Sequence, residues 1–392
     1  MSFDPAAATK ATIDALGPEA LAKAADYTRG SEWLSFWSVV VAALVALLFI
    51  RLRIIDRIDA RLAKRGFALR TFLVCAAFLL LSAIVTLPWD IYTGWWRETA
   101  YGRTSQPLGD WLGQGAIGIV IGALFGALFF LGIYALIRRA GKRWWIWSGG
   151  LAAFAISTVL LLSPVLIEPL FNDYKPVPAG PVRDALVVQA KEAGIDPGRI
   201  YMFDGSRQSN NFTANVSGIG HSARIAISDV AMKGASLDEV RAVTGHEIGH
   251  YVLGQVWRMV IAFSLLAILL FFLADRLFGR IARAFGSDAQ VGDPRGFPVM
   301  MFILSLFGFL ALPVQNYLVR TGETEADLYS VQTVNLPDAM ASALVKTAEY
   351  RNPRPNPVEE FIFYSHPSVE RRVRAAMEWK AAHPPAETPA PE

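Results

Sequence analysis

Six long apolar segments constrain what this chain can fold into more than any other feature of its sequence. Each is about long enough for a helix to cross a hydrocarbon core of about 30 Å. The segments are 33–50, 71–89, 116–137, 144–167, 257–274 and 297–319. Tryptophans stand near several of their ends, as at membrane–water interfaces, and 53% of the 392 residues are hydrophobic. The sequence therefore predicts a mainly α-helical, polytopic membrane protein with six or seven transmembrane helices.

The stretch VTGHEIGHYVLGQ, residues 243–255, carries a pattern typical of catalytic zinc sites. Residues four apart on a helix share a face, so His246 and His250 can direct their imidazoles at one ion. Zinc binds neutral imidazole and carboxylate, and a catalytic site keeps one position open for water. Glu247, beside the first histidine, is placed to take a proton from that water. The motif predicts a hydrolytic site with one Zn²⁺ per chain.

A hydrolytic zinc site needs a third protein ligand, and the stretch TGETEADLYS offers candidates. Glu323 would complete a site of two histidines and one glutamate, and Glu325 is an alternative ligand. Asp327, one helical turn after Glu323, can accept the second N–H of a ligand histidine and so fix its tautomer. His366 stands before a proline where another helix begins, and a donor there could stabilise an oxyanion.

The polar and apolar regions alternate, which predicts the organisation of the chain. The 169–255 region is expected to contain a helix at 181–195, strands at 199–203 and 223–229, and a small β-sheet. Ser236 and Glu239 form a capping-box pair that begins a further helix, which we expect to continue unbroken into the fifth apolar segment. The predicted regions are a polar tail (1–32), four transmembrane helices (33–168), a first catalytic part (169–255), two transmembrane helices (256–320), a helical second catalytic part (321–380) and a disordered tail (381–392).

Charge and cysteine content exclude several classes of function. The net charge of +3 indicates no nucleic-acid partner. Cys75 is the single cysteine of the chain, which excludes an intrachain disulfide and a cysteine-based zinc cluster.

Several blocks together resemble the Ste24/HtpX-type (M48) integral-membrane zinc metallopeptidases, the family that contains CAAX prenyl protease 1. In chain order these blocks are LPWDIYTGWWRETAYGRTSQ, IEPLFNDYKPVP, ARIAISD, GHEIGHYVLGQ, ETEAD and YSHPSVERR. The resemblance implies zinc ligands, a general base, an acid that supports the ligands, and a pair that binds substrate or the oxyanion near the scissile carbonyl. His246, His250 and Glu323 match the zinc ligands, and Glu247 matches the general base. Asp327 matches the acid that supports the ligands. His366 and Arg372 match the pair near the scissile carbonyl.

The resemblance also implies that the substrate peptide lies along an edge strand in the 213–227 region. The family's Asn-Ala-x-x-x-Gly stretch is here TANVSG, with Thr213 in the position of the asparagine. The expected substrate-binding residues are Thr213, Ala214, Asn215 and Val216.

The leading hypothesis is a membrane-embedded zinc endopeptidase of the CAAX prenyl protease 1 type. Its partners would be the lipid bilayer and a peptide or protein substrate with a prenylated C-terminus. An HtpX-like protease for quality control of membrane proteins is the alternative within the family. The alternative of another class is a membrane scaffold or transporter with a structural zinc. Most spans lack the charged residues that transport pathways need, and no fourth ligand stands near the motif, so we prefer the peptidase.

The charges of the loops bear on the membrane side of the site. Loops 51–70, 138–143 and 276–296 carry seven, four and four Lys or Arg residues. The positive-inside rule assigns these loops to the cytoplasm and the catalytic region to the other side. The family resemblance implies the reverse. We adopt the family's arrangement, a multi-pass protein (of the inner membrane if bacterial) whose site opens to the cytoplasm.

Overall fold

The computed structural model of the protein describes residues 3–218, 220–347 and 351–384. Of the expected tail, 385–392 lie outside the described residues. The chain forms two compact units. Unit 1 comprises Met1–Gly30, Leu161–Val256 and Pro313–Glu392, and unit 2 comprises Ser31–Leu160 and Trp257–Leu312.

Helices dominate both units. In chain order they are α1 (Pro5–Asp14), α2 (Gly17–Arg51), α3 (Ile54–Arg61), α4 (Phe67–Ile91), α5 (Arg97–Ala100), α6 (Leu108–Ala140), α7 (Trp144–Leu162), α8 (Pro181–Glu192), α9 (Asp229–Gly234), α10 (Leu237–Val252), α11 (Gln255–Phe285), α12 (Phe297–Leu310), α13 (Leu312–Val334), α14 (Pro337–Thr347), α15 (Pro357–Phe363) and α16 (Val369–Ala382). The strands are β1 (Tyr174–Pro176), β2 (Ile200–Phe203), β3 (Ala214–Ser217) and β4 (Arg224–Ser228).

Long apolar helical runs confirm the prediction of a polytopic membrane protein. By length and hydropathy, four runs among the described residues could cross a membrane, or five if α12 and α13, bent by 56°, count as one span. The four are Gly17–Arg51, Phe67–Ala100, Leu108–Leu170 and Gln255–Phe285.

The run Leu108–Leu170 contains two of the six predicted segments, because the chain folds back within it. A Cβ built on Gly132 would lie 2.8 Å from Cδ2 of Leu151. In a straight helix these residues would be about 28 Å apart, at 1.5 Å per residue. The reversal lies at Gly141, whose φ of +55° separates α6 from α7. All six predicted segments lie in helical structure, and the sixth contains the bend between α12 and α13.

Aromatic side chains fill the core of unit 2. The ring of Phe297 lies 5.3 Å from that of Phe78 and 4.7 Å from that of Phe130, measured between centroids. The buried Trp144 packs on Phe271, and its indole N–H donates to Asp275 at 2.8 Å. A buried tryptophan N–H needs such a partner, so this bond helps to hold α7 on α11.

A four-stranded sheet forms the centre of unit 1, with the order β1-β2-β4-β3. β2 and β4 are parallel, and β3 runs antiparallel to β4 with Ala214 opposite Ile227. The two predicted strands are confirmed as β2 and β4, and the predicted helix as α8. Apolar residues of β4, α8 and α10 form one core. In the strand order, β3 lies at one edge of the sheet.

Two glycines of α10 let α13 approach closely. A Cβ on Gly249 would lie 3.1 Å from Cα of Ala326, and one on Gly245 would lie 2.6 Å from Cγ2 of Val334. The hydroxyl of Ser330 donates to the carbonyl of Ala242, at 2.6 Å. These contacts bring side chains of α10 and α13 within hydrogen-bond distance of each other.

The predicted capping box is present at the start of α10, but the expected continuous helix is wrong. α10 ends at Val252, and α11 begins at Gln255. Between them Gly254 has φ +62°, a left-handed conformation that glycine adopts at no steric cost and that commonly ends a helix.

Candidate metal centre

Two histidines of α10 and a glutamate of α13 meet in unit 1. One donor atom from each of His246, His250 and Glu323 lies within 4.8 Å of the others. The two Nε2 atoms are 3.1 Å apart. Nε2 of His246 lies 3.3 Å from Oε2 of Glu323, and Nε2 of His250 lies 3.5 Å from its Oε1. The spacing of four residues on a helix and the close approach of α13 produce this cluster.

These separations fit a metal ion. At zinc–nitrogen distances of 2.0–2.1 Å, the ligand atoms of a tetrahedral site are roughly 3.3 Å apart, and the three measured separations bracket that value. Oε2 of Glu323 is buried and accepts no hydrogen bond from any described residue. A carboxylate oxygen so buried has a lone pair to give to a cation. Two imidazoles and a carboxylate are also a donor set that zinc accepts.

Oxygen atoms close to the outer ring nitrogens favour one tautomer in both histidines. Nδ1 of His246 lies 2.9 Å from Oδ1 of Asp327, and Nδ1 of His250 lies 2.7 Å from Oε1 of Gln255. When each Nδ1–H donates to its oxygen, each Nε2 keeps its lone pair directed at the cluster. The structure thus brings Asp327 to the place predicted for it.

Gln255 is a part of the site that the sequence analysis did not single out. Its amide N–H groups donate to the carbonyl of Gly322 at 2.9 Å and to Glu325 at 3.1 Å. These bonds leave Oε1 of Gln255 facing His250. In a continuous helix, a residue five positions after His250 would lie about 140° around the helix from it. The turn at Gly254 is what returns Gln255 to the ligand.

Glu325 was the alternative third ligand, and its carboxylate bonds to Gln255. The cluster of possible metal ligands found among the described residues contains Glu323. The two glutamates, two positions apart on α13, point to different sides of the helix.

The two C-terminal candidates also reach the centre. Nε2 of His366 lies 3.3 Å from Oε2 of Glu323, and Nδ1 lies 3.0 Å from the hydroxyl of Ser365. Arg372 donates two hydrogen bonds to Asp327, at 2.7 and 2.6 Å, and its Nη2 lies 3.6 Å from Glu323. The main partner of Arg372 is therefore the carboxylate that holds His246.

Burial changes the protonation of several groups. Burial raises the pKa of Glu247 to about 7, although the charge of His246 opposes it. Burial lowers the pKa of His250, and it lowers that of His366 to about 3. Burial also acts to lower the pKa of His246, but the neighbouring carboxylates of Asp327 and Glu323 outweigh it and raise this pKa to about 9. Metal ligands must be deprotonated, so a cation here would displace the His246 proton.

The expected substrate strand is the edge strand β3. Its residues Ala214 to Val216 pair with β4 on one side. Thr213 precedes the strand, and its N–H donates to the hydroxyl of Ser228 at 3.2 Å. Oδ1 of Asn215 is buried and has no hydrogen-bond partner in the part of the chain that the structure describes. Ala214 and Ile248 of α10 belong to one core, so the strand lies beside the helix that carries both histidines.

We predict that Gln255→Leu weakens metal binding about 10- to 100-fold, the usual cost of losing a partner that orients a ligand histidine. The substitution keeps the volume but removes the oxygen that receives Nδ1–H of His250. Competition with a chromophoric zinc chelator measures the affinity without reference to activity. Gln332→Leu, at an exposed position of the same helix as Glu323, is the matched control. Equal affinities in the two variants would show that Gln255 does not orient the ligand.

Two family models match the chain. The model of peptidase family M48 matches residues 177–380, more than half of the chain and the part that contains the cluster. The model described as the CAAX prenyl protease N-terminal region, with five membrane helices, matches residues 5–173.

Three individual proteins are similar in sequence to most of the chain. The chain is 27% identical over 302 residues to the uncharacterized metalloprotease YhfN of Bacillus subtilis, which covers 76% of this chain and 71% of that protein. It is 27% identical to the CAAX prenyl protease 1 homolog of Arabidopsis thaliana (78% and 73% covered). It is 25% identical to CAAX prenyl protease 1 of Saccharomyces cerevisiae (92% and 86% covered).

A solved structure shows the same fold. The crystal structure of S. mikatae Ste24p matches with a TM-score of 0.74 at 21% identity, over 92% of this chain and 88% of that one. With the M48 model covering more than half of the sequence and apolar helices long enough to cross a membrane, the chain belongs to peptidase family M48 and is an integral-membrane metalloendopeptidase of the Ste24 type.

Proposed function

We propose that the protein hydrolyses peptide bonds with one Zn²⁺ held by His246, His250 and Glu323. The observation that carries the proposal is the cluster of three donor atoms, with both histidine Nδ1 atoms turned to oxygen partners. Such a site supplies a polarised water of lowered pKa and a Lewis acid for the scissile carbonyl. Three protein ligands leave one position open, as a catalytic site requires and a structural site does not.

Glu247 is the proposed general base. Its pKa of about 7 lies near neutral pH, where a group can both accept a proton from water and return it to the leaving amine. It follows His246 directly in α10, so its backbone position is fixed by the same helix that holds the ligands.

His366 is the proposed donor to the oxyanion. With its pKa lowered to about 3, the ring is neutral at neutral pH, and a neutral imidazole carries one N–H. A donor directed at the developing negative charge lowers the barrier. Arg372 contributes a positive charge 3.6 Å from Glu323 while it holds Asp327. We propose that it acts on the tetrahedral intermediate through this charge and positions His246 through Asp327.

The proposed substrate backbone pairs with β3. The edge strand offers N–H and C=O groups in the register that an added strand needs, and Thr213, Ala214, Asn215 and Val216 are the residues it would meet.

The proposed substrate class is a peptide with a prenylated C-terminus. The support is the similarity to relatives that are named CAAX prenyl protease 1 or its homolog and the match to the N-terminal membrane region of that family. An HtpX-like role in membrane-protein quality control is the second candidate, and it differs from the first in not requiring the lipid.

Glu247→Gln is expected to lower kcat about 10²- to 10⁴-fold, the usual contribution of a general base, while zinc remains bound at one per chain because the three ligands are untouched. Peptide cleavage by detergent-purified protein and zinc content by mass spectrometry measure the two effects. Asp238→Asn, which removes an exposed carboxylate from the same helix, serves as the control. Full activity in Glu247→Gln, or one zinc per chain with none of the activity in Asp238→Asn, would contradict the assignment.

A farnesylated peptide should be cleaved with a kcat/KM at least about tenfold above that of the same peptide without the lipid. Burial of two methylene groups alone contributes about 1.6 kcal/mol, a factor of about 15, which already exceeds that limit. The two peptides are compared with one enzyme preparation, with Glu247→Gln as the blank. Equal values for both peptides would exclude the prenyl-dependent branch and favour the quality-control one.

The proposed site opens to the cytoplasm, as the resemblance implies and against the positive-inside rule. A single cysteine placed by Lys142→Cys in a Cys75→Ala chain marks the basic loops, and Asp238→Cys marks the catalytic region. In intact cells, a membrane-impermeant maleimide should label the first variant and not the second. The opposite pattern would place the site outside the cytoplasm.

A further inference from the structure

A charged cavity of about 1060 Å³ lies within unit 2. The three basic loops contribute most of its lining, which includes four arginines and three aspartates: Arg65, Arg70, Arg138, Arg295, Asp56, Asp59 and Asp293. None of these residues belongs to the metal centre.

Only some of these arginines have carboxylate partners. Arg70 donates two hydrogen bonds to the buried Asp59, at 2.6 and 2.5 Å. Arg295 pairs with Asp293, at 2.6 Å. Among residues 3–218, 220–347 and 351–384, Arg65 and Arg138 form no ion pair. The guanidinium of Arg138 lies 4.0 Å above the ring of Phe67, which orients it without neutralising its charge.

Two further features lie at the cavity, the hydroxyl of Thr71 and the first turn of α4. Thr71 lines the cavity and is fully buried, and its hydroxyl has no hydrogen-bond partner in the described part of the chain. The 25-residue helix α4 begins beside it, after Gly66, which offers no side-chain cap. Uncapped N–H groups and the helix dipole favour an anion at a helix N-terminus. Two cations, a hydroxyl and a helix start thus converge on one space.

The position of the cavity favours a lipid phosphate over other anions. Its lining residues include the first turn of α4, the last turn of α6 and the residues just before α12, so it lies at the ends of membrane-spanning helices, where lipid head groups lie. The three loops carry fifteen Lys and Arg against four Asp. Leu69 of α4, close to the cavity in sequence, is 47% exposed and can contact an acyl chain.

We propose that this cavity binds the phosphate of an anionic phospholipid, with Arg65, Arg138 and Thr71 as its contacts. A phosphodiester offers the acceptor oxygens that arginine and a hydroxyl bind. Basic pockets between transmembrane helices are the general setting for such recognition. The zwitterionic head group of phosphatidylcholine would bring a trimethylammonium group into the same positive field, so the cavity favours the anionic lipid.

The test uses the full-length protein in detergent micelles and native mass spectrometry with phosphatidylglycerol or phosphatidylcholine. Wild type should retain phosphatidylglycerol at least about tenfold more strongly. Each arginine contributes a factor of about five to the affinity for the anionic lipid. The double variant Arg65→Gln with Arg138→Gln should therefore bind phosphatidylglycerol about 25-fold more weakly than wild type. Thr71→Val, which keeps the shape and the charge of the site, should bind phosphatidylglycerol about tenfold more weakly. The matched control is Lys64→Gln with Arg139→Gln, which removes two exposed charges from the same loops outside the cavity lining. Its affinity for phosphatidylglycerol should fall less than about twofold.

Three results would overturn the proposal. Equal retention of the two lipids by wild type would show no recognition of the anion. Equal losses in the cavity and control variants would mean that diffuse surface charge attracts the lipid. Displacement of the lipid by inorganic phosphate at the same concentration would assign the cavity to a soluble anion. If the double variant fails to fold, Thr71→Val alone decides between loss of the lipid and no change.

Discussion

A single buried carboxylate, Asp327, connects the three helices on which the catalytic centre depends. From α13 it reaches Nδ1 of His246 on α10 and both donor nitrogens of Arg372 on α16. Burying a charge is tolerable only when it is paired and hydrogen-bonded, and here the carboxylate and the guanidinium satisfy each other. The ion pair that holds the C-terminal helix in place therefore also positions the carboxylate that faces Nδ1 of His246.

The charges around the centre make metal binding and proton transfer dependent on each other. Glu323 faces the two histidines, and Arg372 offsets only part of the negative charge of the site. Without a cation, the proton on His246 (pKa about 9) provides the missing positive charge. A divalent ion held by these residues would replace that proton and add a second charge, which would lower the cost of an ionised Glu247. Glu247, whose pKa burial raises to about 7, is the proposed base, and a bound cation would favour its ionised form.

Periodicity and spacing predicted the parts of the fold that depend on local sequence. The six apolar segments, β2, β4, α8 and the capping box all follow from patterns within a few residues. His246 and His250 follow from the period of one helix, whereas spacing alone left Glu323 and Glu325 as alternatives, because the rotation of α13 toward α10 is a tertiary property. Gln255 escaped prediction because one left-handed glycine, Gly254, redirects the chain.

Whether a charged side chain needs a partner depends on its burial, in both units. In unit 1, burial makes an isolated charge cost several kcal/mol, and Arg372 accordingly has a partner at hydrogen-bond distance. In unit 2, Arg65 and Arg138 are exposed, where hydration makes an unpaired cation inexpensive. Stability therefore does not require these two residues to be paired. It also does not explain why the hydroxyl of the fully buried Thr71 has no hydrogen-bond partner among the described residues. A buried polar group without a partner carries a cost, and a ligand oxygen in the cavity would remove it.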